Sequence, residues 1–147
     1  MSETSTQTRS ETMRRFLPAS PLPTKLGIRL DALEPERAEL SMPFDPENVT
    51  LADVVHGGAI AALIDTAGMA VTWSDDAVPE SLEGSTISMS VEYVAAARGQ
   101  DLRAVATTIR RTRALVFSEV AVTEPDGRLV ARGSVIQNVG PATRAGG

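Results

Sequence analysis

Val54-Val55-His56-Gly57-Gly58-Ala59-Ile60-Ala61-Ala62-Leu63-Ile64-Asp65-Thr66-Ala67-Gly68-Met69-Ala70 reads as a single helix with apolar residues on nearly every face. It opens on the one histidine of the chain and two glycines, and it carries one charge, Asp65, at its middle. A helix that is apolar all round is expected to be buried on all sides. A carboxylate on such a helix is paired, protonated or chemically employed, because unpaired burial costs several kcal/mol or moves its pKa. One reading gives Asp65 a structural partner such as a strand arginine. The other gives it a reaction.

Spacing adds a constraint. His56 and Asp65 lie nine residues apart, which on one straight helix is about 13 Å of rise and roughly half a turn of azimuth. They do not meet within one subunit. If they cooperate, a second copy brings its Asp65 to the first copy's His56, and two composite sites sit about a twofold axis.

On either side of the helix the pattern turns to strands. Leu26 to Leu33 and Arg37 to Phe44 read as a hairpin turning at Leu33-Glu34-Pro35-Glu36, and Pro43, Asp45-Pro46 and Asn48 mark the loop into the helix. After a loop from Asp75 to Gly84 the period becomes two. Ile87, Met89, Val91 and Tyr93 fall on one face, and Thr86, Ser88, Ser90 and Glu92 on the other. Three further runs follow, Leu102 to Ile109, Leu115 to Thr123 and Leu129 to Val139, with Glu124-Pro125-Asp126-Gly127 as the last hairpin turn. The order predicts one α+β domain over residues 24–140, a long central helix wrapped by a five- or six-stranded antiparallel sheet. Residues 1–23, broken by Pro18, Pro21 and Pro23, are expected to be flexible, with at most a short helix from Glu11 to Leu17. Residues 141–147 are expected to be a loose tail.

The totals narrow the function. A chain of 147 residues with 42% hydrophobic content builds a core, and 3% aromatics make that core mainly Ala, Val, Leu and Ile. A net charge of −5 disfavours a nucleic-acid partner, whose footprint is basic. With no cysteine there is no thiol catalysis, disulfide or cysteine metal site, which is compatible with a reducing cytoplasm. A single histidine leaves a catalytic zinc short of ligands, so neither metal nor cofactor is expected. No signal peptide or membrane span is visible, and a cytoplasmic protein without a membrane partner is expected.

The motif His56-Gly57-Gly58, with Asp65 in register on the following helix, resembles the hotdog-fold acyl-CoA thioesterases of the phenylacetate-pathway (PaaI-like) branch. The resemblance covers roughly Leu26 to Gly140 and extends to Gly84-Ser85-Thr86, Tyr93 and the strand Gly127-Arg128-Leu129-Val130-Ala131-Arg132-Gly133. It implies hydrolysis of an acyl-CoA at the interface of a homodimer, assembled further into a homotetramer. It places the substrate carbonyl oxygen on the Gly57 N–H, with His56 orienting the thioester and Gly58 permitting close approach. Asp65 of the partner chain then serves as nucleophile or as base for a water, and Thr86 positions that water or the carboxylate.

Two positions depart from the family pattern. Relatives carry Asn or Gln six residues before the histidine, where this chain has Thr50, with Asn48 two residues further back. Met69 stands where relatives carry Ser or Thr one turn after the acid. In the cluster Arg110, Arg111 and Arg113, the resemblance assigns Arg111 and Arg113 to the CoA phosphates. Trp73, Met69, Met89 and Leu82 are candidates to line an apolar acyl tunnel. A hotdog enoyl or hydroxyacyl thioester hydratase-dehydratase is the rival enzyme, but its proline-rich segment after the histidine is absent. A non-catalytic acyl-CoA-binding domain is the rival binder.

Overall fold

The computed structural model describes residues 6–144. Two short helices come first, α1 (Arg9–Phe16) and α2 (Pro21–Lys25), joined by a 3-10 turn at Leu17–Ala19. Then follow β1 (Arg29–Glu34), β2 (Arg37–Met42), β3 (Val49–Leu51), β4 (Val54–Val55), the long helix α3 (Gly57–Thr72), β5 (Ala77–Pro79), β6 (Gly84–Tyr93), β7 (Leu102–Arg111), β8 (Leu115–Thr123), β9 (Leu129–Val139) and β10 (Ala142–Arg144). Six of the strands form one antiparallel sheet in the order β1-β2-β7-β8-β9-β6. The expected hotdog architecture is present, with α3 packed across one face of that sheet.

Small residues set how closely helix and sheet approach. A methyl group added at Gly68 would lie 2.7 Å from Val135 Cγ1, and one added at Gly133 would lie 2.6 Å from Ile64 Cγ2. Leu63, Ile64, Ala67, Ala70 and Val71 of α3 are fully buried against Leu40, Ala104, Val120 and Val135 of the sheet. Turn chemistry closes the hairpins. Pro35 and Glu36 link β1 to β2, with Glu36 at φ 65° and its N–H bonded to Ser74 Oγ at 2.9 Å. Gly127 takes φ 92° between β8 and β9, a conformation glycine adopts without steric cost.

Three local expectations change. The helix is not covered all round: Gly58 is exposed, and Ala61, Ala62, Asp65 and Met69 are only half-buried, forming one stripe along α3. The cause is an open sheet that covers one side of the helix only. Residues 9–25 are not a loose segment. Thr8 and Glu11 close a capping box on α1, Met13 and Leu17 enter the core, and Arg9 is buried with its guanidinium on Asp75 and the Gly140 carbonyl. The prolines are compatible with this because Pro21 occupies the first turn of α2, where no N–H is needed. The rest of the segment expected to be flexible, residues 1–5, lies outside the described residues. At the other end, 142–144 pair with β5 as β10, and 145–147 lie outside the description.

The strand β6 also departs from simple alternation. It is the sheet's edge, paired only with β9, and Ile87, Met89 and Tyr93 are exposed. A bulge between Thr86 and Ser88 interrupts the register. Strict alternation would put Thr86 on the face opposite Val91. The bulge instead turns it toward α3, and both residues are half-buried.

Candidate active site

At the N-terminus of α3, the chain approaches through the β3–β4 hairpin. His56 is the N-cap: its Nδ1 accepts the Gly58 N–H at 2.8 Å, which leaves the ring proton on Nε2 when the imidazole is neutral. Gly58 has no room for a side chain, since a methyl there would lie 2.9 Å from His56 Nδ1. The His56 N–H donates to the Asn48 carbonyl at 2.9 Å, so Asn48 flanks the histidine while Thr50 sits exposed on β3.

Gly57 is held from above. Tyr93, at the end of β6, donates its hydroxyl to the Gly57 carbonyl at 2.8 Å, and its ring lies 3.3 Å from where a Gly57 methyl would be. The Gly57 N–H is the first of the helix and donates to no group among the described residues. It points out of the positive end of the helix dipole. A hollow of about 450 Å³ opens here, lined by Thr50, Gly57, Ile60, Tyr93 and Ala95 among others.

Two turns along α3, Asp65 Oδ1 accepts the Thr86 hydroxyl at 2.6 Å, and Thr86 Oγ1 accepts Gln137 Nε2 at 2.9 Å. Thr86 and Gln137 are direct register partners across β6 and β9. These three side chains edge a cavity of about 300 Å³ between α3 and the N-terminal helices, whose apolar walls include Met13, Phe16, Leu22, Met69, Trp73 and Leu82. Three of the residues expected for an acyl tunnel therefore line this cavity. Met89 does not; it lies on the exposed edge of β6.

The structure brings His56, Gly57, Gly58 and Asn48 together at one end of the helix, and Asp65, Thr86 and Met69 together at its middle. Among the described residues no side-chain hydrogen bond joins the two groups. Gly57 and Asp65 are about 12 Å apart along the helix axis. Arg111 belongs to neither group. It donates to the Val71 and Thr72 carbonyls at the C-terminus of α3, pairs with Glu36 at 2.9 Å and approaches Asp75 at 3.5 Å. The resemblance expected this side chain on the CoA phosphates; here its Nε and Nη2 donors serve Glu36 and the helix end. Arg113 remains exposed on the β7–β8 turn, with Arg110 exposed nearby.

Sequence reasoning missed Gln137, the clamping role of Tyr93 and the N-terminal wall. Gln137 had a signal: it stands in the inward phase of β9, with Gly133, Val135 and Val139, where an unpaired polar group is costly. Among the described residues no helix is long and apolar enough to cross a membrane, and no three His, Cys, Asp or Glu side chains gather as a metal site.

Comparison with known proteins joins these features to a family. The model of the thioesterase superfamily matches residues 52–131, a span containing His56, Gly57, Gly58, Asp65 and Thr86. "Putative esterase MT1895" of Mycobacterium tuberculosis is 28% identical over 124 residues, 81% of this chain and 86% of that protein. "Putative esterase VNG_1336C" of Halobacterium salinarum is 39% identical over 71 residues, 48% of this chain; the match spans only 46% of that protein's length. Among solved structures, a thioesterase family protein from Silicibacter pomeroyi superposes with a TM-score of 0.83 at 23% identity, over 90% of this chain and 98% of that one. The E. coli PaaI protein of the phenylacetic acid degradation operon superposes with a TM-score of 0.74 at 16% identity, over 88% and 95% of the two chains. Sequence motif, sheet order and family match agree: the chain belongs to the thioesterase superfamily of hotdog proteins.

Proposed function

We propose that this protein is a cytoplasmic acyl-CoA thioesterase, hydrolysing an acyl-CoA to the free acid and CoA at a site completed by a second copy of the chain. The observation that carries the reading is the Asp65 carboxylate. It is half-exposed, hydrogen-bonded by Thr86, and set at the rim of a 300 Å³ apolar cavity.

The thioester carbonyl oxygen accepts the free Gly57 N–H at the helix end, where His56 Nε2–H is also at hand. A backbone donor aimed at a developing oxyanion is worth roughly 2.7–4 kcal/mol. Asp65 of the partner chain either takes the proton of a water as that water attacks the carbonyl carbon, or attacks the carbon itself. In the first route the carbon–sulfur bond breaks as the adduct collapses, and the CoA thiolate takes the proton that Asp65 had accepted; in the second the thiolate leaves a mixed anhydride on Asp65, which a water hydrolyses to the free acid, restoring the carboxylate and supplying the proton to CoA. Thr86 holds one carboxylate oxygen and leaves the other for the reaction. The acyl group occupies the cavity beside Asp65, whose walls suit an aromatic or medium-chain group. Arg113, exposed on the turn with Arg110 nearby, is available to the nucleotide phosphates.

Support for the second copy comes from the β6 edge. Ten residues of strand, with Ile87 56% and Tyr93 53% exposed and no lysine or proline among them, form an open pairing surface. A homodimer formed there is the proposal. Pairing of dimers into a tetramer through the outer sheet face, where Phe117 and Ile136 are half-buried and Ile109 is exposed, extends it.

The test is steady-state CoA release from aromatic and C4 to C16 acyl-CoAs by the wild type and Asp65→Asn. Loss of about a hundredfold or more in kcat for the variant is expected for a group in this role. Turnover indifferent to the substitution would remove Asp65 from the chemistry.

A further inference from the structure

The chain of hydrogen bonds from Gln137 through Thr86 to Asp65 has a direction. A carboxylate only accepts, so the single Thr86 hydroxyl proton is committed to Asp65 Oδ1 at 2.6 Å. The Thr86 oxygen then receives its own bond from a donor, and Gln137 Nε2 at 2.9 Å fills that place. A glutamine can present either end of its amide. If the carbonyl end faced Thr86, the hydroxyl proton would be drawn toward Gln137, and Asp65 would lose its donor. Gln137 is 4% exposed, near the C-terminal end of β9, with its register partner Thr86 turned inward by the bulge. The Asp65–Thr86 bond therefore selects the amide end, with Nε2 toward Thr86.

We infer that Gln137 is a positioning residue that sets the proton polarity of the Asp65–Thr86 pair, holding the Thr86 hydroxyl as a donor to Asp65 and leaving the second carboxylate oxygen free. It edges the cavity beside Asp65 but meets no reacting atom. Its effect passes through Thr86. The catalytic consequence rests on the thioesterase reading, whereas the polarity itself does not.

Two substitutions separate this role from packing. Gln137→Glu keeps the shape of the side chain but offers Thr86 only acceptors when ionised, so two carboxylates compete for one hydroxyl proton. Gln137→Met removes the donor, departs further from the shape of glutamine, and leaves Thr86 free to donate to Asp65. The expected order is therefore the reverse of the order of similarity. Gln137→Glu lowers kcat about tenfold or more with KM unchanged, the scale of one hydrogen bond to a charged group, and Gln137→Met lowers it much less. Acidification restores Gln137→Glu relative to wild type, because the introduced carboxyl, once protonated, again donates to Thr86. If Gln137→Met is as impaired as Gln137→Glu, or if KM moves in place of kcat, Gln137 serves packing only and the inference fails.

A second measurement needs no turnover. The side-chain amide resonances of Gln137, assigned by their loss in Gln137→Met, are recorded by NMR in the wild type and in Thr86→Val. Loss of the acceptor should move one Nε2 proton upfield and speed its exchange with water. An amide pair unmoved by Thr86→Val would mean the carbonyl end faces Thr86 and would overturn the inference. Should the wild type hydrolyse no acyl-CoA, the thioesterase reading falls, and the amide resonances still decide the polarity.

Discussion

Replacing Arg111 with methionine should damage the fold and spare the affinity for CoA. The guanidinium holds the last turn of α3 through the Thr72 carbonyl at 3.0 Å and the Val71 carbonyl at 3.3 Å, pairs with Glu36 at 2.9 Å and approaches Asp75 at 3.5 Å. Breaking a buried ion pair from one side costs about 3–5 kcal/mol, whereas exposed pairs contribute at most about 1 kcal/mol. Here the Arg111 side chain is 20% exposed, Asp75 23% and Glu36 40%, and Asp75 keeps Arg9 as a partner. A loss of about 2–3 kcal/mol lies between the limits, with methionine preserving the packing of the stem. For a chain of this length that loss lowers Tm by about 6–10 °C. Thermal unfolding followed by circular dichroism, at matched protein concentrations because dimerisation raises Tm, gives the shift. KM for acyl-CoA at a temperature well below the transition should stay within about twofold of wild type, as expected when no binding contact is lost. Arg113→Gln should do the reverse, leaving Tm in place and raising KM for acyl-CoA but not for the corresponding acyl-pantetheine. An Arg111→Met protein with unchanged Tm and a raised KM for acyl-CoA alone would refute the reasoning, and would return Arg111 to the phosphates.

Tyr93→Phe removes the hydroxyl bond to the Gly57 carbonyl while keeping the ring over the glycine; stability should fall by about 1 kcal/mol in urea unfolding, with kcat reduced more than KM, and an unchanged kcat would free Tyr93 from any part in aiming the Gly57 N–H. Met89→Lys places a charge on the exposed edge of β6, and sedimentation should show a monomer whose turnover is lost together with the dimer; a fully active monomer would end the composite-site proposal. Glu39 is held below the usual carboxylate range by hydrogen bonds from Arg37 and Arg103. A lowered folded-state pKa contributes stability above the unfolded value that is lost as pH falls through the folded one. Glu39→Gln should therefore be slightly less stable than wild type at pH 7 and converge with it as pH falls below the usual glutamate range, a convergence visible in urea midpoints measured across that fall.

The parts of this molecule legible in its sequence are those where one local signal decides. The length and small residues of α3 required a close sheet, and Gly68 against Val135 and Gly133 against Ile64 are that closeness. The turn at Gly127 needed positive φ and has it. What could not be read depends on tertiary partners. Arg111 and Arg113 are equivalent on the page of letters, but the strand delivers one to the carbonyl end of α3 and the next turn leaves the other in solvent. Pro18, Pro21 and Pro23 read as breakers, yet a helix can begin on a proline, and the burial of Met13 and Leu17 draws the segment onto the domain. Thr86 meets Asp65 from the face of Val91 and not from the opposite one that alternation gives, because one bulge reverses the phase of a strand and leaves no mark in its alternation.

The geometry of α3 also gives the proposed dimer its reason. A reacting carbonyl must lie about 3 Å from both its oxyanion donor and its nucleophile or base. One helix cannot present both, since the Gly57 N–H and the Asp65 carboxylate are about 12 Å apart along it. Residues 57 and 65 are equidistant from Ala61, which belongs to the half-buried stripe that the protein's own sheet leaves uncovered. Two copies of α3 crossing antiparallel about a twofold axis at Ala61 would set each Gly57 against the other's Asp65. Gly58, Ala61 and Ala62 are small enough to allow that approach, and the open edge of β6 lies beside the same stripe, tied to it by Thr86 on Asp65 and Tyr93 on Gly57. A stripe of this composition is a poor outer surface and a good contact surface. The same small residues that make α3 look buried on every side in the sequence would let a second chain finish the burial and complete the chemistry in one association.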